Sequence, residues 1–328
     1  MKHVSILIPL GQASLVNIEG SRQILTQVNT FMQTLGKMPE FTIQLVGLSK
    51  EVRQSSGLFT ISPEVVIGEV AHTDLIIIPA MHGDQAQALL LNQGFVSWIR
   101  RQHSAGAEIA SMCIGAFFLA STGLLDGRQC ATHWVEASNF RRMFPKVNLV
   151  DDKILTDEDG IYTSGGAYAY LNLLLYLIEK YVGRDMAILI AKTFMVDMDR
   201  HSQSPFIMFQ VQRDHPDETI KKAQEYIETH FHERITVDQL AYILALSRRN
   251  FERRFKKATG NTIAEYMQRV KIEAAKKNLE SGKRSVNEVM YEVGYNDTKT
   301  FRETFKKITG LSPVEYRNKY NRELVEMA

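Results

Sequence analysis

SRRNFERRFKKATG, residues 247–260, returns fifty residues later as DTKTFRETFKKITG, residues 297–310. Two copies imply one structural unit used twice. In each copy an aromatic pair four residues apart, Phe251/Phe255 and Phe301/Phe305, falls on one helical face. A lysine pair follows, Lys256/Lys257 and Lys306/Lys307, and then a Thr-Gly end. The glycine reads as the helix stop, where a left-handed residue carries no Cβ penalty.

Around the repeat, residues 217–328 read as almost wholly helical, with segments at 218–230, 237–243, 248–259, 263–279, 286–291, 298–308 and 313–322. Thr236 and Ser285 sit where N-caps belong, each before a short helix, a turn and a basic helix. That order is a helix-turn-helix, expected at about 236–259 and again at 285–308. If the phenylalanines anchor each second helix to a core, the positions between them face outward. On the first helix these are Arg249, Glu252 and Arg253, with Arg248 and Asn250 near its start; on the second they are Thr298, Lys299, Arg302 and Glu303. Arginine can grip guanine O6 and N7 with two parallel bonds and glutamate can accept from cytosine N4, so these nine are the expected base readers. The lysine pairs suit phosphates or the helix dipole, and Arg254 can pair with an acidic neighbour.

The first half has a different texture. Short apolar runs at 4–9, 42–47 and 75–79 read as buried parallel strands, with helical patterns at 23–35 and 86–102. The alternation predicts a doubly wound, flavodoxin-like α/β domain whose ligands bind beyond the carboxyl ends of the strands. At 107–121 a strand turns into a helix with Cys113 at the corner and Gly115 two residues on, which has the shape of a nucleophile elbow. A thiol at a helix N-terminus is expected to have a lowered pKa. Cys113 is therefore either a small residue packed at a tight corner or a ligand-contacting, redox-sensitive thiol. Residues 131–134 read as a strand, and Gly83 and Asp84, after the run at 75–79, offer backbone donors at the mouth of a pocket. Residues 163–166, TSGG, lead into a nearly all-apolar helix at 168–182 that suits a domain interior or a dimer interface.

A chain of 328 residues is long enough for two domains, and 45% hydrophobic with 23% charged is an ordinary globular balance. Two cysteines make no disulfide framework, and no apolar run is long enough to span a bilayer, so a cytoplasmic protein is expected. The net charge of +2 conceals an asymmetry: residues 217–328 hold 22 Lys/Arg against 17 Asp/Glu, while residues 1–216 carry a net −3. The positive half is the half with the repeat, which fits a polyanionic partner. Residues 199–216 lose periodicity and gather Ser, Pro and His, so they are expected to link domains at 1–198 and 217–328.

Two resemblances sharpen this. CIGAFFLASTGLLDGR followed by ATHW, within residues 111–134, resembles the class I glutamine amidotransferase-like superfamily, in the branch fused to DNA-binding domains. Residues 217–328, with VGYNDTKTFRETFKKITGLSPVEYR as signature, resemble the AraC family DNA-binding domain, in which a long helix, here 263–279, joins two helix-turn-helix units. The first resemblance implies an elbow cysteine working with a histidine and an acidic residue. Here protease-like members' histidine is replaced by Ile114, and Asn17 stands where an acid usually faces the thiol, with Glu19 misdirected. Cys113 and His133 are then vestiges of a catalytic pair, the resemblance implies a ligand pocket lined by Asn17, Gly83, Cys113, Ile114, His133 and Trp134, and no enzyme activity, cofactor or metal is expected. The second implies a sequence-specific regulator, more often an activator, that binds double-stranded promoter DNA, contacts RNA polymerase, dimerises and answers to a small effector. Such relatives commonly govern catabolism of amino acids or betaine-type amines. The rival expectations are a cysteine-dependent amidase or hydrolase, and a thiol redox sensor, tethered to DNA.

Overall fold

Val4, Ile6, Leu7 and Ile8 are wholly buried because both faces of their strand, β1 (Lys2–Ile8), are covered. In the computed structural model, which describes residues 1–54, 57–282 and 284–321, the chain forms two units, Met1–Gln203 and the residues from Ser204 onward. After β1 the first unit runs α1 (Leu15–Thr34), β2 (Phe41–Gly47), β3 (Val52–Gln54), β4 (Phe59–Ile61), β5 (Val65–Val66), β6 (Leu75–Ile78), α2 (Gln85–Leu91), α3 (Gly94–Ser104) and β7 (Glu108–Ser111). It continues through α4 (Gly115–Ser121), β8 (Gln129–Cys130), a 3-10 turn (Trp134–Glu136), α5 (Ala137–Met143), β9 (Asn148–Leu149), β10 (Leu155–Glu158), β11 (Ile161–Ser164), α6 (Tyr170–Tyr181) and α7 (Arg184–Thr193).

Seven strands form one sheet in the order β10-β11-β7-β6-β1-β2-β5, parallel except for the β10–β11 hairpin. Ile24 and Val28 of α1, Leu174 and Ile178 of α6 and Ile190 of α7 cover one face. Phe95 and Trp98 of α3, Phe117 of α4 and Phe140 of α5 cover the other. This is the expected doubly wound α/β architecture. The strand order reverses between β1 and β6, so the loops after these strands flank the crevice where such sheets bind ligands.

Local departures have local causes. Helix α1 starts at Leu15, well before the expected 23, because Ser14 caps it by accepting from the Asn17 amide. The single helix expected at 86–102 breaks at Asn92, whose side chain is drawn away to bond both the amide and the carbonyl of Leu10. Residues 131–134 are not a strand: pairing ends at Cys130, and His133 caps the 3-10 turn.

The second unit contains α8 (Glu218–Thr229), α9 (Val237–Ile243), α10 (Arg248–Thr259), α11 (Ile263–Ser281), α12 (Val286–Glu292), α13 (Thr298–Thr309) and α14 (Pro313–Tyr320). Capping boxes at Thr236, Thr262, Ser285 and Ser312 set four of these starts. The unit has two cores. Ile220, Leu240, Phe251 and Phe255 gather around Tyr266 of α11; Val289, Phe301, Phe305 and Tyr316 gather around Ile272 and Leu279 of the same helix. Part of the expected linker packs here too. Buried Lys276 donates to the Ile207 carbonyl at 2.7 Å, and the Phe209 ring meets Tyr266 edge-on at 5.2 Å.

Candidate nucleic-acid interface and cysteine elbow

Phe251 and Phe255 are fully buried, as are Phe301 and Phe305, and in both pairs the rings lie 5.8 Å apart. Burial along 251–260 matches burial along 301–310 position by position. Each helix ends on a left-handed glycine, Gly260 at φ +72° and Gly310 at φ +74°. Arg249, Glu252, Arg253, Lys299, Arg302 and Glu303 are exposed, while Asn250 and Thr298 are half-buried.

The outward charges are nonetheless engaged differently. Arg248 is drawn back: its guanidinium reaches Asp238 of α9 at 3.0 Å and Glu252, one turn on, at 3.0 Å. Arg253 donates to Asn250 Oδ1 at 2.9 Å. Arg249 and Arg302 have no ion-pair partner among the described residues, so both are available to an incoming anion. Arg254 is committed to structure, holding Asp217 through two bonds while Asp217 caps α8. That guanidinium, foremost, keeps the Asp217 carboxyl below its usual range. The pairs around Arg248 are solvent-exposed and contribute little to stability, so a phosphate or base can replace them at small cost.

In the first unit Cys113 occupies a strained corner, φ +55°, between β7 and α4. Its amide donates to the Ser164 carbonyl and its carbonyl accepts from Thr132 Oγ1, both at 3.0 Å. Gly115 is required beside it, since a Cβ there would lie 2.6 Å from the Pro79 carbonyl oxygen. The thiol is nearly sealed, and burial pushes its pKa up to about 12, with the Glu136 carboxylate adding to the rise and only the Ile114 amide opposing it. The lowered pKa expected at a helix N-terminus is therefore overturned: desolvation outweighs the dipole of a helix only two turns long.

Among the described residues the thiol makes no hydrogen bond to an acidic or basic side chain. His133 is kept neutral, first by burial, against a smaller opposing pull from Glu136, and its Nδ1 accepts from the Val135 amide at 3.2 Å. Trp134 lies beside it, ring centroids 5.7 Å apart. Asn17 is buried, with Oδ1 accepting from the Ala80 amide, and Glu19 turns away to pair with Arg22. Ile114 is buried at the start of α4. Gly83 takes a left-handed turn, φ +87°, and Asp84 beside it caps α2 through its side chain. Of the tyrosines that follow TSGG, Tyr168 lies in a 3-10 turn before α6 and is exposed, Tyr176 on α6 is half-buried, and Tyr170 at the start of α6 is buried in the core.

Gln203 has no signal in the sequence. Buried within the stretch expected to link, its Oε1 accepts from the Gly166 amide at 2.6 Å, and its Nε2 donates to the Thr132 carbonyl at 3.0 Å and to that of Lys153 at 2.9 Å. It fills the space a side chain at Gly165 would need, next to the residues that hold Cys113 and His133. Asp238 and Glu136 were also missed, because each acts across a turn rather than along one helix face.

A duplicated helix-turn-helix with outward arginines, carried behind an α/β unit with a buried elbow thiol, is the arrangement of a DNA-binding regulator. Residues 240–319 match a family described as a helix-turn-helix domain, and residues 22–180 match the DJ-1/PfpI family. Over 287 residues the chain is 26% identical to the HTH-type transcriptional regulator GbdR of Pseudomonas aeruginosa, spanning 84% of this chain and 74% of that one. A solved AraC family transcriptional regulator from Pseudomonas putida shares the fold over 59% of this chain and 100% of its own, with a TM-score of 0.50 at 16% identity. An isonitrile hydratase of Pseudomonas putida is 26% identical over 157 residues, 48% of this chain and 66% of the relative. The chain carries an AraC-type helix-turn-helix domain behind an amino-terminal DJ-1/PfpI domain of the class I glutamine amidotransferase-like kind, and it is similar to HTH-type transcriptional regulators.

Proposed function

We propose that the chain is a cytoplasmic, homodimeric activator in which the second unit reads a promoter and the first unit, catalytically silent, binds a small metabolite. The observation that carries the DNA half is the repeated burial pattern of α10 and α13, which leaves two equivalent faces outward. On these faces Arg249, Arg253 and Arg302 take guanine edges, and Asn250, Glu252, Thr298, Lys299 and Glu303 complete the readout. Arg248 joins once it leaves Asp238. Lys256, Lys257, Lys306 and Lys307 set register on phosphates. In the first unit the effector site lies around Asn17, Gly83, Cys113, Ile114, His133 and Trp134, at the carboxyl ends of the strands. Its occupant favours the dimer geometry that spaces two second units for DNA and for contact with RNA polymerase, and it does so by binding that state more tightly. A protonated thiol supports a sensing role over turnover. By family resemblance, amino acids and betaine-type amines are the first effectors to try.

The decisive experiment compares Arg253→Ala with the parent chain on selected and random duplexes. Specific affinity falls by about 1–3 kcal/mol while random-duplex affinity barely moves. Equal losses on both would remove Arg253 from the base readers. The parent's affinity also falls steeply as salt rises, in proportion to the phosphates neutralised, and a flat response contradicts the whole DNA reading.

A further inference from the structure

Lys271 sits midway along α11, between the two cores of the second unit. Its Nζ donates to the Gly294 carbonyl at 3.1 Å and reaches the Glu233 carbonyl at 3.4 Å, so it ties the loop after α8 to the turn after α12. It also lies 5.5 Å from the centre of the Tyr295 ring. No carboxylate pairs with it among the described residues. A half-buried ammonium held only by neutral dipoles is under-compensated, and burial alone lowers its pKa.

Beside this ammonium is a cavity of about 260 Å3, walled by Phe231, Ile235, Met267 and Tyr295 and bordered by Glu233, whose carboxylate lies 3.7 Å from the His232 imidazole, and by the exposed Arg234, which has no ion-pair partner among the described residues. Small-molecule sites are mostly apolar with a few convergent polar groups and span about 300–1,000 Å3, so this volume falls just below them and suits only a small ligand. Lys271 and Arg234 outnumber the one carboxylate of Glu233 beside this apolar hollow, which favours a ligand with one anionic head and a short hydrocarbon body.

We propose that the DNA-binding unit carries its own effector site, in which Lys271 and Arg234 hold the carboxylate of a small amphipathic acid whose apolar end fills this cavity. The site is separate from the one suggested in the first unit. Its occupant touches the loop after α8 in the first half and the turn after α12 in the second, so it acts on the joint that spaces α10 from α13.

Octanoate is the probe, titrated calorimetrically into the full-length chain, with octylammonium and inorganic phosphate as controls. Saturable octanoate binding is expected, at least tenfold tighter than either control. Lys271→Met lowers the affinity at least tenfold. Arg234→Gln, at an exposed position outside both cores, lowers it severalfold without risk to folding. Octanoate also slows amide hydrogen exchange at 231–235 and 293–296. The proposal is overturned if octanoate does not saturate, if phosphate binds as tightly, if Arg234→Gln and Lys271→Met bind like the parent, or if the protected amides lie in the first unit.

Discussion

Helices α10 and α13 occupy the same place in two copies of one motif, with the same buried positions and the same glycine stop, yet they present different faces to DNA. The first carries Arg248, Arg249 and Arg253 and spends one of them on Asp238 and Glu252. The second carries Lys299 and Arg302 without an ion pair among the described residues, and its start is fixed by Asp297, which accepts from the Thr300 amide and hydroxyl. Ser247, the matching cap of α10, makes no side-chain bond. Core positions thus keep the motif, and outward positions divide its labour: more charge on the first helix, a better-anchored start on the second.

The strongest test of structural equivalence removes an anchor from each copy. Phe251→Ala and Phe301→Ala should each cost about 3–5 kcal/mol, since both rings are fully buried. Because the two copies have separate cores, hydrogen exchange should lose protection at 237–259 in the first variant and at 286–309 in the second. Loss across both segments in either variant would mean that α11 fuses them into one cooperative block.

A smaller effect tests the division of labour. Arg302→Ala should weaken specific binding by about 1–3 kcal/mol at one half of the site, and Arg253→Ala at the other, read by base preferences on randomised duplexes. If both substitutions relax the same base positions, the two helices do not lie in successive grooves.

How far the sequence revealed this depended on range. The helix-turn-helix pair was legible because its information is local: phenylalanines four apart, caps three residues before their partners, a glycine at the end. The parallel strands were legible for the same reason, as short runs such as LIIIP at 75–79. The Arg248–Glu252 spacing of four was in plain view, but the pull of Asp238, ten residues back, appears only once α9 folds against α10. The Cys113 thiol misled because a helix N-terminus can be read from sequence, whereas the packing that desolvates it is assembled from β11, α4 and the loop at Thr132. Gln203 was invisible since its four bonding partners lie 37 to 71 residues away in an aperiodic stretch.

The smallest expected effects have opposite signs in the two copies. In the turn between its helices the first copy places Ala245 at φ +52°, and the second places Gly294 at φ +75°. Left-handed backbone costs a residue with a Cβ about 1–2 kcal/mol, so Ala245 is strained where glycine is not. Ala245→Gly relieves that strain but gives the unfolded chain more freedom, which offsets about 0.4–1 kcal/mol, leaving a net gain between zero and about 1.6 kcal/mol. Gly294→Ala meets the same backbone penalty and a second obstacle: a Cβ there would stand 2.5 Å from the His232 carbonyl oxygen and 2.8 Å from Lys271 Nζ. The carbonyl belongs to backbone and cannot step aside without moving the loop after α8. Gly294→Ala should therefore destabilise the second unit and Ala245→Gly should stabilise it slightly, measured as urea midpoints at constant slope. Both shifts in one direction would show that the two turns are not equivalent corners of a repeated motif.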